Sequence, residues 1–288
     1  MTDTSVTGSV RTAPKSPYWR ALTAEATLAA QQVAAAGRAF HALDPTTIGS
    51  FYAAFFPLSI GYERMAKIAL QVDSKIATGE FISTTTMRNK IGHRLDKLFD
   101  RVAEVCERRG YKHARPMEPI HQAILSILTE FATTGRYNHL DTLGSSTVTS
   151  KDAEHEWDTR VLPLLTEKHL TARMKETMLR KAEFLRAVIE AGKEDFTVLA
   201  IRHDVSGEIH TDLPTAELLT DLYRRMNPWG RMYALQLGRW LANVLYALSI
   251  DARTSAHAHG HVPHLIEFFT PLTAGDSDLR NRRNLMGT

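Results

Sequence analysis

A single cysteine, Cys106, in 288 residues excludes an internal disulfide and any Cys-based zinc site. Long apolar runs are missing too. No stretch reaches the roughly 18 apolar residues of a membrane helix, and the polar N-terminus carries no hydrophobic leader segment. The expected setting is therefore cytoplasmic, with no membrane partner. There is no glycine-rich phosphate loop, no nucleophile elbow and no pair of carboxylates at catalytic spacing. Nor does charge of one sign dominate. Lys and Arg number 35 and Asp and Glu 32, a net charge of +3. That is mildly basic and far from the footprint of a dedicated nucleic-acid binder; it neither requires an RNA partner nor excludes one.

What is present is helical periodicity. Phe51, Phe55, Leu58, Tyr62, Met65, Ala69, Val72 and Ile76 recur at alternating spacings of four and three, the signature of one apolar face on a helix. Ile91, Leu95, Leu98, Val102 and Val105 repeat the rhythm, and strands would alternate at every second residue instead. Cys106 falls on the apolar side of this second helix and reads as a buried structural thiol. Ahead of the pair, residues 1–16 are rich in Ser, Thr, Gly and Pro and read as a disordered tail. An alanine-dense helix is expected over 17–42. Asp44 and Pro45 would cap and start the next one. Gly79 and the run Ser83 to Thr86 break that helix and cap its successor, which is expected to reach about Arg109, with Gly110 ending it.

Ile120, Ile124, Ile127 and Phe131 line a fourth helix. A long helical region follows over 151–191, kinked or divided at Pro163. The period then changes. Strand formers at 197–201, a turn at Val205 to Gly207 and Glu208 to Thr211 predict a small hairpin over 197–211. Two further helices, 214–226 and 231–250, are expected on either side of Asn227-Pro228-Trp229-Gly230. The fold class is all-α: a bundle over 17–145, then a C-terminal helical region over 146–288 that carries the hairpin and packs on the first part.

Glu63-Arg64-x-x-Lys67, followed by Gly92-His93-x-Leu95-x-x-Leu98, resembles the helix pair of HEPN-like proteins. Arg136-Tyr137-Asn138-x-x-Asp141 and the segment Val262 to Phe269 resemble elements of an uncharacterised bacterial branch of that family. The likeness covers about half the chain at scattered points and rests on the order of the motifs. It implies an all-α bundle that forms a homodimer or meets a protein partner, in bacterial toxin or phage-defence systems. Catalytic members cleave RNA without metal, using an Arg, often followed by Asn, and a His a short interval later. His supplies general acid–base chemistry and Arg stabilises charge developing on phosphate. Arg88-Asn89-Lys90-Ile91-Gly92-His93 matches that pattern. Looser matches at Arg108 to His113, Arg115 to His121 and Arg253 to His259, among 13 histidines, make the spacing uninformative. By order along the chain the equivalent place is near Arg136, where His139 follows too closely.

Two clusters have a bland reading beside a functional one. Glu63, Arg64 and Lys67 form either an ordinary surface ion-pair step or a charged patch that holds a nucleotide or a second subunit. Arg136, Tyr137, Asn138 and Asp141 form either a side-chain-bonded turn or a polar pocket, with Arg for an anion and Tyr to stack on a base. The histidines at 257, 259, 261 and 264 read as a solvated loop, so no metal site and no cofactor are expected. The leading expectation is a HEPN-like protein that acts by binding a protein partner or RNA in bacterial defence or stress. The alternative is a metal-independent endoribonuclease using Arg136, Asn138 and His139, or Arg88, Asn89 and His93. A third alternative is a small-molecule enzyme built around Arg136.

Overall fold

A computed structural model describes residues 15–44, 47, 49–133, 143, 152–192, 202–203, 209–210 and 213–282. The protein is all-α. Helix α1, Pro17–His41, begins where Ser16 Oγ accepts from the Trp19 amide at 3.0 Å, with Pro17 in the first turn, where its missing N–H is harmless. The next helix, α2, spans Ser50–Thr78 and so starts later than the Asp44-Pro45 pair suggests. Asp44 instead organises a turn: its carbonyl accepts from Ser50 Oγ at 2.7 Å and its carboxylate from Thr47 Oγ1 at 3.2 Å. The two helices lie antiparallel at close range. A Cβ on Gly61 would stand 2.7 Å from Val33 Cγ2, so only glycine permits this approach.

Between α2 and the following helix the chain departs from the expected continuous helix. Ser83 caps a single turn, Thr84–Thr86, and a π-helical turn, Met87–Ile91, follows. It closes with the Gly92 amide donating to the Met87 carbonyl at 3.0 Å. Gly92 then takes φ 71° and ψ −151°, a region open essentially to glycine alone. Helix α3, Leu95–Arg109, starts only after this break. His93 therefore sits in a turn, not on a helix.

Helix α4 spans Pro119–Thr133 and buries Ile120, Ile124, Ile127 and Phe131. A helical stretch runs from Ala153–Glu156 through a π-helical segment, Trp157–Val161, into α5, Leu162–His169. The division falls after Leu170, where Thr171 caps α6, Ala172–Ala191, and not at Pro163. Pro163 sits in the first turn of α5, directly after the π-helical segment. Arg202–His203 pairs antiparallel with Ile209–His210; the remaining residues of the 197–211 hairpin lie outside the described ones.

The two helices expected after the hairpin are one. Helix α7 runs unbroken over Leu213–Thr254 with Pro228 inside it. Proline forfeits one backbone hydrogen bond there, and tertiary contacts on both sides hold the helix together. Asn227 Nδ2 donates to the Leu43 carbonyl at 2.8 Å. Gly230 lies against Trp157, where a Cβ would be 2.8 Å from Cζ2.

One core joins these elements. Phe40, Phe51, Phe55, Phe131 and Trp157 pack as an aromatic cluster, with ring centroids 5.5–6.2 Å apart. Each fully buried ring of this kind contributes about 1.5–3 kcal/mol. Further along, Tyr62 donates to the Ala234 carbonyl at 2.5 Å and Trp240 Nε1 to the His113 carbonyl at 3.0 Å. Cys106 is buried, and burial pushes its thiol up to about 11.

The C-terminal segment comprises a turn Ile266–Phe269, a 3-10 turn Thr270–Thr273 and helix α8, Asp276–Asn281. It is fastened by Arg231 of α7, whose side chain is fully buried. Its guanidinium donates to the carbonyls of Gly37 at 2.7 Å, Leu279 at 2.6 Å and Arg282 at 2.7 Å. It makes no ion pair among the described residues, and burial pushes its pKa down to about 10.

Candidate functional site

The break at Gly92 carries His93 onto the outer face of the α1–α2 pair. A half-open groove of about 540 Å³ lies there, of the size common for ligand sites. Leu22 and Glu25 of α1, Ile60, Glu63, Arg64, Lys67 and Ile68 of α2, then Met87 and His93 line it. The apolar members supply a floor and the charged ones a rim.

Glu63 organises the rim. Its Oε1 accepts from Lys67 Nζ at 2.8 Å and from His93 Nδ1 at 2.8 Å. Lys67 Nζ stands 3.5 Å from the same imidazole nitrogen. The Glu63 side chain is 17% exposed and that of Lys67 20%, whereas His93 is 64% exposed. The acid is thus half-sunk between two helices and the imidazole projects over it. Arg64 pairs with Glu25 across the α1–α2 seam. Gln71, at the deep end, is engaged with Ile82, whose amide it accepts at 2.8 Å and whose carbonyl it donates to at 3.1 Å. That clamp fixes the strap leading to the π-helical turn.

The structure brings Glu63, Arg64, Lys67 and His93 together. It does not bring Arg88 and Asn89 into the groove: both are exposed on the π-helical turn, beside the groove-lining Met87. Arg136, Tyr137, Asn138, His139 and Asp141 lie outside the described residues. The looser Arg–His pairs go elsewhere. Arg108 is held by buried Asp73, Arg115 by Asp100, and His121 is buried against Gln236 at 2.7 Å. His259 Nδ1 contacts the Arg253 carbonyl at 2.8 Å. The other loop histidines diverge, His257 toward Gly79, His261 toward Tyr18 and His264 toward Glu267. Among the described residues no three metal-ligating side chains converge.

One residue and one contact are not evident in the sequence. Glu25 lies on α1 at a place that only the antiparallel pairing of α1 with α2 reveals. The orienting contact between Glu63 and His93 spans 30 residues and depends on the Gly92 backbone. Glycine next to histidine after a capped turn was the available signal. Away from the groove, Glu154 sits near the start of α2, by the Gly49 and Phe51 backbone. Burial and the charge of Asp152 raise its carboxyl to about 7.

Compared with family models, curated proteins and solved structures, the chain matches none. Fold and groove define an all-α bundle with an open, charged, apolar-floored site. No described helix is long and apolar enough to cross a membrane.

Proposed function

We propose that this is a HEPN-like protein that acts by binding, and that its ligand is RNA held at the α1–α2 groove. The observation that carries the reading is the gathering of Lys67 and His93 on Glu63, with Arg64 alongside, over an apolar floor. Lysine and arginine donors attract phosphate oxygens. Leu22, Ile60, Ile68 and Met87 offer a surface for a sugar or base. Arg64 and Lys67 are each paired with a glutamate at the rim, and exposed Arg88 and Lys90 on the adjoining turn add positive charge along a strand longer than one nucleotide. From the resemblance the reading takes over a homodimer or a protein partner, in bacterial defence or stress.

Binding of a fluorescent single-stranded RNA, titrated with salt, tests it. The expected result is saturable binding that weakens as salt rises, and that Lys67→Ala weakens about 3- to 10-fold, as loss of one phosphate contact should. A folded Lys67→Ala variant that binds as well as the parent would sink the reading. Recovery of a protein partner with no RNA affinity would favour the other binding class.

One observation favours the endoribonuclease as a second reading. A histidine whose Nδ1 is bonded to a carboxylate presents its other nitrogen as a general base, and Lys67 lies beside it. Incubating total RNA with the protein in EDTA decides this. Cleavage that His93→Ala abolishes establishes an enzyme, and cleavage that only Arg136→Ala abolishes moves the site away from the groove.

A further inference from the structure

Resting on RNA binding at the groove, a further inference concerns how RNA would be told from DNA. The 2.8 Å contact between His93 Nδ1 and Glu63 Oε1 cannot join two lone pairs. Nδ1 therefore carries the hydrogen and donates it to the carboxylate. A neutral imidazole so oriented keeps one acceptor, the lone pair on Nε2. That atom has no partner among the described residues, and the ring is 64% exposed at the groove. Beside it, Lys67 gives one N–H to Glu63 and keeps two, since an ammonium has three. Arg64 likewise holds donors beyond the one that meets Glu25. With the imidazole in its neutral form, the groove presents an acceptor next to cationic donors, with Lys67 Nζ only 3.5 Å from the imidazole.

A ligand complementary to this pattern carries a hydroxyl hydrogen next to an anionic oxygen. In RNA the 2′-hydroxyl and the 3′-phosphate occupy neighbouring ribose carbons, and the hydroxyl is the group that DNA lacks. We propose that His93 Nε2 accepts the ribose 2′-hydroxyl while Lys67 and Arg64 hold the adjoining phosphate, so that the groove selects RNA over DNA. Glu63 is the positioning residue: it fixes which imidazole nitrogen faces the ligand.

The experiment compares three labelled oligonucleotides of one unstructured sequence (RNA, DNA and 2′-O-methyl RNA) by fluorescence anisotropy with the full chain. The parent protein is expected to favour RNA over DNA by about tenfold, the scale of one net hydrogen bond. The methylated strand, which has no hydroxyl hydrogen, should bind like DNA. His93→Ala should erase the RNA advantage, so that RNA and DNA bind with equal affinity. Glu63→Gln should narrow the RNA-to-DNA ratio. Lys67→Ala should weaken all three strands alike. Equal affinity of the parent for RNA and DNA overturns the proposal, as does a His93→Ala variant that loses both in parallel. Failure of the underlying reading looks different: none of the three strands binds at any salt concentration. Circular dichroism of each variant separates loss of the contact from loss of the fold, and exposed His93 is a mild site to truncate.

Discussion

Replacing Arg231 with methionine tests what holds the C-terminal segment to the bundle. The side chain is fully buried and pairs with no carboxylate among the described residues. Two effects oppose each other there. Burial depresses the guanidinium to about 10, and a depression of that size corresponds to about 3 kcal/mol of desolvation cost. Against it stand three charge-assisted hydrogen bonds of about 1.5–3 kcal/mol each. The bonds win, by about 1.5–6 kcal/mol.

Methionine removes the buried charge but leaves the carbonyls of Gly37, Leu279 and Arg282 without their donor. That differs from exchanging both halves of an ion pair for apolar groups, which is often neutral. Arg231→Met is therefore expected to lose about 3 kcal/mol in urea unfolding. Hydrogen exchange should show residues 276–282 opening first, before the rest of the bundle. Arg231→Lys, whose compact ammonium cannot span three separated carbonyls, should fall between parent and methionine variant. A methionine variant as stable as the parent, with 276–282 equally protected, would refute the reasoning and make the guanidinium a net burden.

Two further outcomes are expected. Glu154, raised to about 7 from a reference of 4.5, binds its proton more tightly folded than unfolded. Its contribution to stability is thus present below about pH 4.5 and is lost as pH rises through 7. Glu154→Gln should unfold later than the parent above pH 7, with the difference shrinking toward pH 4.5; a pH-independent difference would contradict the assignment. Gly230→Ala drives a methyl into Trp157, which is 1% exposed and cannot retreat. The variant should lose about 1–3 kcal/mol despite alanine's advantage of up to about 1 kcal/mol in a helix, with a changed tryptophan emission; unchanged stability would mean that the ring relaxes.

The apolar stripes of α2 and α3 were legible because a buried helix face must repeat with the helix. Phe51, Phe55, Leu58, Tyr62, Met65, Ala69 and Val72 are all fully buried, as are Leu95, Leu98 and Val102. Where a local signal competes with tertiary packing, the sequence misleads. Asn227-Pro228-Trp229-Gly230 has the chemistry of a turn, yet contacts with Leu43 and Trp157 hold it helical. Arg231 looks like a surface cation because no neighbour in sequence announces three backbone acceptors from distant segments. The charged step at Glu63, Arg64 and Lys67 was visible as a patch, and so was the histidine after Gly92. Their meeting was not, because it depends on one backbone conformation between helices.

That conformation has a consequence for how the protein can change. Gly92 touches nothing that a methyl would displace, so space does not restrict it; only its φ of 71° does. The residue that aims His93 at Glu63 thus belongs to neither the groove nor the core. The link Gly92 to Arg94, which follows core residue Ile91, can be redrawn by substitution while the buried faces of α2 and α3 stay in register. A descendant of this chain can abandon the groove and keep the bundle, and fold and site are free to evolve on separate clocks.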